Sequence, residues 1–193
     1  MRYEIKNIYK SFNNKIVLKN ISYKFPDNGL VWIKGDTGSG KTTLLNIISG
    51  LIAEDSGEIL GFKDKKISYV FQDDRLIPWL TAKENLKIIK KLDDKRLEKF
   101  LSSVGLENDY NTKAYAMSGG MKKKLSIARA LAFNGDVFLM DEPFTGLDKS
   151  SIIKILKVLE SYYSKKLVIL VSHNDLILKI LSNKDLNYSI LKI

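Results

Sequence analysis

The sequence contains no cysteine, one histidine and three prolines in 193 residues. Without thiols it can form neither a disulfide nor a thiolate metal site, and the lone His173 makes no histidine cluster for a metal. So few prolines, and no low-complexity tract, exclude a proline-rich or disordered chain, while 45% hydrophobic and 28% charged residues suit one folded domain over 1–193. Arginine is also scarce: it occurs at 2, 75, 96 and 129, which leaves 28 of the 32 basic residues as lysine. A net charge of +10 would by itself suggest nucleic acid, but base and phosphate forks favour arginine, so specific nucleic-acid binding is not expected. Part of the basic surface is expected near anionic lipid headgroups instead. Apolar runs such as Leu167 to Val171 fall far short of the ~20 residues of a spanning helix, and Met1 to Lys6 lacks the apolar core of a signal peptide, so export is not expected.

What is present begins with Gly35-Asp36-Thr37-Gly38-Ser39-Gly40-Lys41-Thr42, a full match to G-x-x-x-x-G-K-[ST]. A loop that wraps a polyphosphate turns its amide N–H groups inward, and glycine gives the close approach and positive φ this needs. Lys41 offers a charge to the β- and γ-phosphates, and the Thr42 hydroxyl can ligate Mg2+ bridging them. Leu30 to Ile33 before the loop reads as a buried strand, and Lys41 to Ser49, stopped by Gly50, as a helix whose N-terminus faces the anion. Residues 35–43, with Asp36, Thr37, Ser39 and Thr43 among them, are the candidate nucleotide-binding set.

Residues 2–9 and 16–25 alternate around Asn13-Asn14 and predict an antiparallel pair, with Phe12 at its tip either stacking on a base or flanking the turn as a core residue. Short strands are expected over Glu58 to Phe62 and Ile67 to Phe71. Helical periodicity over Thr81 to Leu92 and Asp93 to Val104 predicts a helical insertion, spanning about 76–134. Beyond it come a strand at Val137 to Met140, a helix capped by Asp148, a strand at Leu167 to Val171, a helix at Asn174 to Leu181 and an edge strand at Leu186 to Ile193. The fold class is α/β: a mostly parallel, helix-covered sheet preceded by an antiparallel β unit.

In such sheets ligands bind beyond the carboxyl ends of the strands, where the loop, Gln72, Asp141 and His173 all fall. Adjacent carboxylates Asp141 and Glu142 at the end of a buried strand call for a cation. Asp141 would hold Mg2+ and Glu142 would take a proton from the attacking water, with Pro143 expected to keep Glu142 extended. His173 could orient the water against a γ-phosphate, and Gln72 could touch both metal and water. Ser118-Gly119-Gly120 opens another helix; it is either a plain cap or a second anion site serving a nucleotide held by another copy of the chain.

Taken in order, the loop, Val70-Phe71-Gln72, Met117 to Met121, Leu139 to Pro143, Gly146-Leu147-Asp148 and Ser172-His173 resemble the successive motifs of the ATP-binding subunits of ATP-binding cassette (ABC) transporters. The resemblance covers nearly the whole chain. It implies a phosphate-loop ATPase of the ABC type, ATP and Mg2+ as ligands, and a head-to-tail homodimer or pseudo-symmetric cassette dimer in which Ser118 and Gly120 reach the γ-phosphate across the interface. It also implies a membrane permease subunit at the cytoplasmic face of the membrane, an extracytoplasmic solute-binding protein in an importer, and base stacking by Phe12. Met117 and Met121 depart from the usual Leu-Ser-Gly-Gly-Gln signature, and Lys122 to Lys124 from its Gln- and Arg-containing sequel. The segment Phe71 to Thr81 resembles the cassettes of nitrate, sulfonate and taurine importers, with Trp79 expected either to meet the permease or to pack on the helical insertion. Since the chain ends soon after its last motif, no regulatory C-terminal domain is expected. The competing reading, a soluble cassette ATPase acting on nucleic acid or ribosomes, generally requires two fused cassettes or a long coiled coil.

Overall fold

The computed structural model describes residues 3–173, 177, 179, 180 and 188–193. The chain opens with two long antiparallel strands, β1 (Tyr3–Phe12) and β2 (Lys15–Phe25). Asn13 and Asn14 turn between them with φ of 47° and 64°, the left-handed pair that a tight hairpin needs and asparagine tolerates. β4 (Ser56–Leu60) joins the other side of β1, giving a three-stranded sheet in the order β2-β1-β4. This strand starts and ends two residues before the expected span, and Phe62 beyond it turns into the core against Tyr3 and Phe25.

The main sheet contains β5 (Ile67–Val70), β6 (Val137–Asp141), β7 (Leu167–Val171), β3 (Gly29–Lys34) and β8 (Tyr188–Lys192) in that order, every pairing parallel. β6 and β7 are buried at every position, as continuous apolar strands covered on both faces should be. Alternation divides the core in two. Leu30, Trp32, Phe138, Met140, Val168 and Leu170 pack into a cluster with helical residues such as Leu97, Leu125, Ile127 and Ile155. Val31, Ile33, Val137, Leu139 and Ile169 face the opposite way, onto the helix α1 (Lys41–Ile48) and the antiparallel sheet. β8 supplies the expected edge strand; most of the helix expected over Asn174 to Leu181 lies outside the described residues.

Further helices among the described residues include α2 (Ala82–Lys87), α3 (Asp94–Ser103), α4 (Gly119–Phe133) and α5 (Lys149–Tyr163). α2 stops after six residues although its apolar periodicity predicts a helix to Leu92. Its last turn tightens to a bond from the Ile89 amide to the Leu86 carbonyl, and the chain folds back so that Lys83 and Lys87 meet Glu98 and Asp94 of α3 at 2.7 and 2.8 Å. Those ion pairs, unavailable to a continuous helix, override the local period. A capping box starts α2: the Thr81 hydroxyl accepts from the Glu84 amide, while the Glu84 carboxylate accepts from the Thr81 amide. Asp93 and Asp148 cap α3 and α5 in the same sense, and the bonds from Ser150 and Ser151 hold the Asp148 carboxyl well below its ordinary value.

The segment between β5 and α2 is held by Asn85, which is fully buried. Its side chain accepts from the Ile77 amide and donates to the carbonyls of Ile77, Leu80 and Thr81. Trp79, within that segment, is 69% exposed and so does not pack on the helices. Asn85→Leu should strand these backbone groups and cost about 3 kcal/mol, lowering the melting temperature by roughly 6 to 12 °C. Trp79→Ala should leave it within about 2 °C. Calorimetric scans of the two variants measure both.

Candidate functional site

Strand β3 delivers the chain into the glycine loop, and its geometry explains which glycines are needed. Gly40 has φ +94°, and a Cβ there would lie 2.7 Å from Leu18 Cδ2 and 2.9 Å from Val17 Cγ1. At Gly35 a Cβ would meet the Ile193 carbonyl oxygen at 2.1 Å and Ser39 Oγ at 2.6 Å. The loop is therefore clamped between β2 and the last residues of the chain, leaving its inner side to amides. α1 begins directly after it, so the loop and the positive end of the helix form one anion cradle. Lys41 is 7% exposed, and its ammonium donates to the carbonyls of Gly35 and Asp36 at 2.9 and 2.6 Å, which stretches the side chain back along the loop.

A cavity of about 300 Å³ opens in front of the cradle. From the loop and helix it is lined by Thr37, Gly38 and Gly40 to Thr43; from the strand ends come Gln72, Asp141, Glu142 and His173. All the residues expected on the carboxyl rim of the sheet are thus brought to one space. Asp141, the last residue of β6, is 2% exposed. Burial raises its carboxyl pKa, against the opposing effects of a hydrogen bond from Thr42 and the charges of Lys41 and Lys123. Its Oδ1 is buried without a hydrogen-bond partner. An orphaned carboxylate oxygen beside a threonine hydroxyl is a hard-oxygen donor set, the chemistry that fits Mg2+.

Glu142 corrects an expectation. Pro143 does not hold it extended: its φ is +46°, in the left-handed region. Proline disfavours the right-handed helical region for the residue before it. The amide of Glu142 continues the sheet by donating to the Val171 carbonyl at 2.9 Å, and the left-handed kink then takes the chain off the strand direction. The side chain turns toward His173, whose backbone amide donates to Oε2 at 3.4 Å and whose Nε2 lies 3.6 Å from Oε1. Oε1 itself is buried without a hydrogen bond, while the imidazole is half exposed. A non-glycine residue in this region costs of order 1 kcal/mol or more, so the surrounding contacts hold it there.

The remaining expected residues lie outside this cavity's lining. Phe12 is 43% exposed at the hairpin tip, with the Lys10 ammonium 5.3 Å from its ring centre, so it is not a core residue. Ser118 caps α4 by accepting from the Met121 amide at 3.3 Å; both it and Gly119 are exposed. A Cβ on Gly119 would meet nothing within 4 Å, so the start of α4 is open at that glycine. Asp36 and Ser39 shape the loop through the bond from the Ser39 amide to the Asp36 carbonyl at 3.1 Å.

Two participants were not anticipated. Val17 of β2 lines the cavity and backs Gly40. Lys123, buried within α4, donates to the Gln72 carbonyl at 2.8 Å and pairs with Asp74 at 3.0 Å, tying the start of α4 to the Gln72 segment. Its signal lay in helical phase: Lys123, Ile127, Ala130 and Leu131 share the buried stripe, so this lysine is the one of its run that enters the core.

Comparison with known proteins agrees with this arrangement. The family model described as "ABC transporter" matches residues 18–145. The aliphatic sulfonates import ATP-binding protein SsuB of Zymomonas mobilis is 34% identical over 180 residues, covering 89% of this chain and 75% of that protein. The phosphonates import ATP-binding protein PhnC of Fusobacterium nucleatum is 32% identical over 212 residues, covering 94% and 86%. Among solved structures, the dimeric ATP-binding cassette MJ0796 in a post-hydrolysis state bound to ADP and Pi superposes with a TM-score of 0.82 at 32% identity, covering 92% of this chain and 90% of that one. With the loop, the paired carboxylates and the capped α4 all in place, the chain belongs to the ABC transporter family, as one of its ATP-binding, ATP-hydrolysing cassettes.

Proposed function

We propose that this ATPase drives solute transport through a separate membrane permease, closing head to tail with a second cassette when ATP binds. The observation that carries the reading is that one open cavity gathers Lys41, Thr42, Gln72, Asp141, Glu142 and His173, while Ser118 and Gly119 lie exposed at a helix start outside it. A second cassette, the same chain or a related one, supplies the closing face. The whole of 1–193 forms the cassette, with the segment of about 76–134 as its helical insertion. Trp79, exposed on that segment beside the Gln72 loop, anchors the permease, and the complex sits at the cytoplasmic face of the membrane. An extracytoplasmic solute-binding protein completes the assembly if it imports, as the proteins named for sulfonate and phosphonate import do.

Residues 35–43 cradle the triphosphate, and Lys41 exchanges its two loop carbonyls for β- and γ-phosphate oxygens. Thr42, Gln72 and Asp141 would hold Mg2+, which when bound neutralises charge on the phosphates. Glu142 accepts the proton of the attacking water at Oε1, the oxygen without a hydrogen bond, and His173 positions that water from the adjoining side. Phe12 stacks on the base from the hairpin tip. Lys123 positions Gln72 from behind.

Lys41→Ala should abolish ATP turnover in a phosphate-release assay. Glu142→Gln should retain ATP binding but accumulate a closed dimer, read as a doubling of mass by light scattering with ATP and Mg2+; Ser118→Arg should bind ATP and stay monomeric. A Glu142→Gln chain that remains monomeric at high concentration would count against the sandwich. Lys123→Met should lower kcat several-fold with ATP affinity unchanged, and Lys123→Arg should restore it. A matched loss of affinity and melting temperature, without rescue, would reduce Lys123 to a packing role.

A further inference from the structure

A cavity of about 650 Å³ lies away from the phosphate loop and shares no residue with that site. It sits where the C-terminal ends of α4 and α5 meet α3. On its wall, Lys166 immediately precedes β7 and Asn134 lies shortly before β6, which puts the cavity at the amino ends of the strands, opposite the nucleotide rim. Its apolar lining includes Leu92, Phe100, Val158 and Tyr162, the last held edge-on against Phe138 at 5.0 Å between ring centres.

The charges around this apolar floor are of one sign. Lys90, Arg96, Lys99, Lys165 and Lys166 line the cavity, and among the described residues no carboxylate does. Two of the five are committed locally: Arg96 lies 3.4 Å from Asp93, and Lys166 donates to Asn134 and to the Gly135 carbonyl. Lys90, Lys99 and Lys165 form no ion pair among the described residues. Burial pushes the Lys166 ammonium pKa down, Asp136 opposes this, and the Lys90 charge adds to it, so the cations are close enough to feel one another. Such crowding is relieved by an anion.

We propose that this cavity binds a small organic anion with an apolar body, aromatic or aliphatic, and one acidic head. The volume falls within the range of small-molecule sites, roughly 300 to 1,000 Å³. Its apolar floor is larger than an inorganic anion could cover, and its rim is complementary only to negative charge. The body would rest on Phe100 and Tyr162, with the head between Lys99 and Lys165. Bound there, the ligand would touch the far ends of α4 and α5, whose near ends are capped by Ser118 and Asp148.

The test uses two dyes of one shape: 8-anilinonaphthalene-1-sulfonate, and N-phenyl-1-naphthylamine, which lacks the sulfonate. The full chain should bind the sulfonate dye saturably at one site, unaffected by ATP with Mg2+. Lys99→Glu with Lys165→Glu should weaken it by about tenfold, leaving the neutral dye's affinity and the melting temperature unchanged. Ser161→Trp, at an exposed wall position, should weaken both dyes by filling the space. Sulfonate-dye affinity indifferent to the charge reversals, or its loss on adding ATP, would overturn the proposal. So would binding to phosphatidylglycerol vesicles without binding of the soluble dye, which would assign these cations to a lipid surface.

Discussion

A carboxylate at the end of a buried parallel strand sets the terms for the rest of this structure. Asp141 continues an apolar strand that lies between β5 and β7, where hydration is lost and the charged form is disfavoured. The chain meets that cost with polar and cationic groups: the Thr42 hydroxyl, the Lys41 ammonium and, from the opposite side, Lys123. Two of these come from α1 and the third from α4, so those helices must sit where they do for Asp141 to be tolerated. The arrangement also leaves Oδ1 unsatisfied, which suits a site completed by a hard cation.

The carboxyl rim was readable from the sequence because its logic is local. A strand of four or five apolar residues followed by a glycine loop, a glutamine, a carboxylate pair or a histidine puts each group at a strand end, and parallel order puts the strand ends together. The caps Ser118 and Asp148 were readable for the same reason: each acts within three residues of itself. What escaped depended on distant partners. α2 ends early because α3 returns to pair with it, β4 leaves the parallel pattern to pair with β1, and Val17 reaches the cavity through the packing of β2 on Gly40.

Glu142 shows a local rule applied correctly and still yielding the wrong conformation. The proline rule removes one region of backbone space and does not choose among those that remain. An extended Glu142 would have prolonged the strand direction of β6. The left-handed kink turns the carboxylate toward the residue after β7, so that one oxygen takes the His173 amide and the other is left without a donor. Such an unengaged oxygen suits the proposed base role, since one saturated with hydrogen bonds is less basic. The strain at φ +46° and the unpaired Oε1 are therefore two aspects of one constraint, and the sheet bond from the Glu142 amide to Val171 keeps both in place.

The lysine excess acquires structure once residues are placed. Lys123 is buried against Asp74 and the Gln72 carbonyl, where it connects α4 to the rim. Lys83 and Lys87 fasten α2 to α3, and Lys166 caps the carbonyl end of α4 through Asn134 and Gly135. Each of these uses rests on a single positive charge at the end of a long stem, with no two-point fork engaged. Arg129 is the contrast: its guanidinium spans the carbonyls of Asp74 and Arg75, a two-point contact that a lysine would make with only one direction fixed. A net charge of +10 thus does not describe one basic face. It divides into cations consumed in holding helices together and a smaller set, around Lys90, Lys99 and Lys165, that the fold brings to one cavity lined by no carboxylate among the described residues.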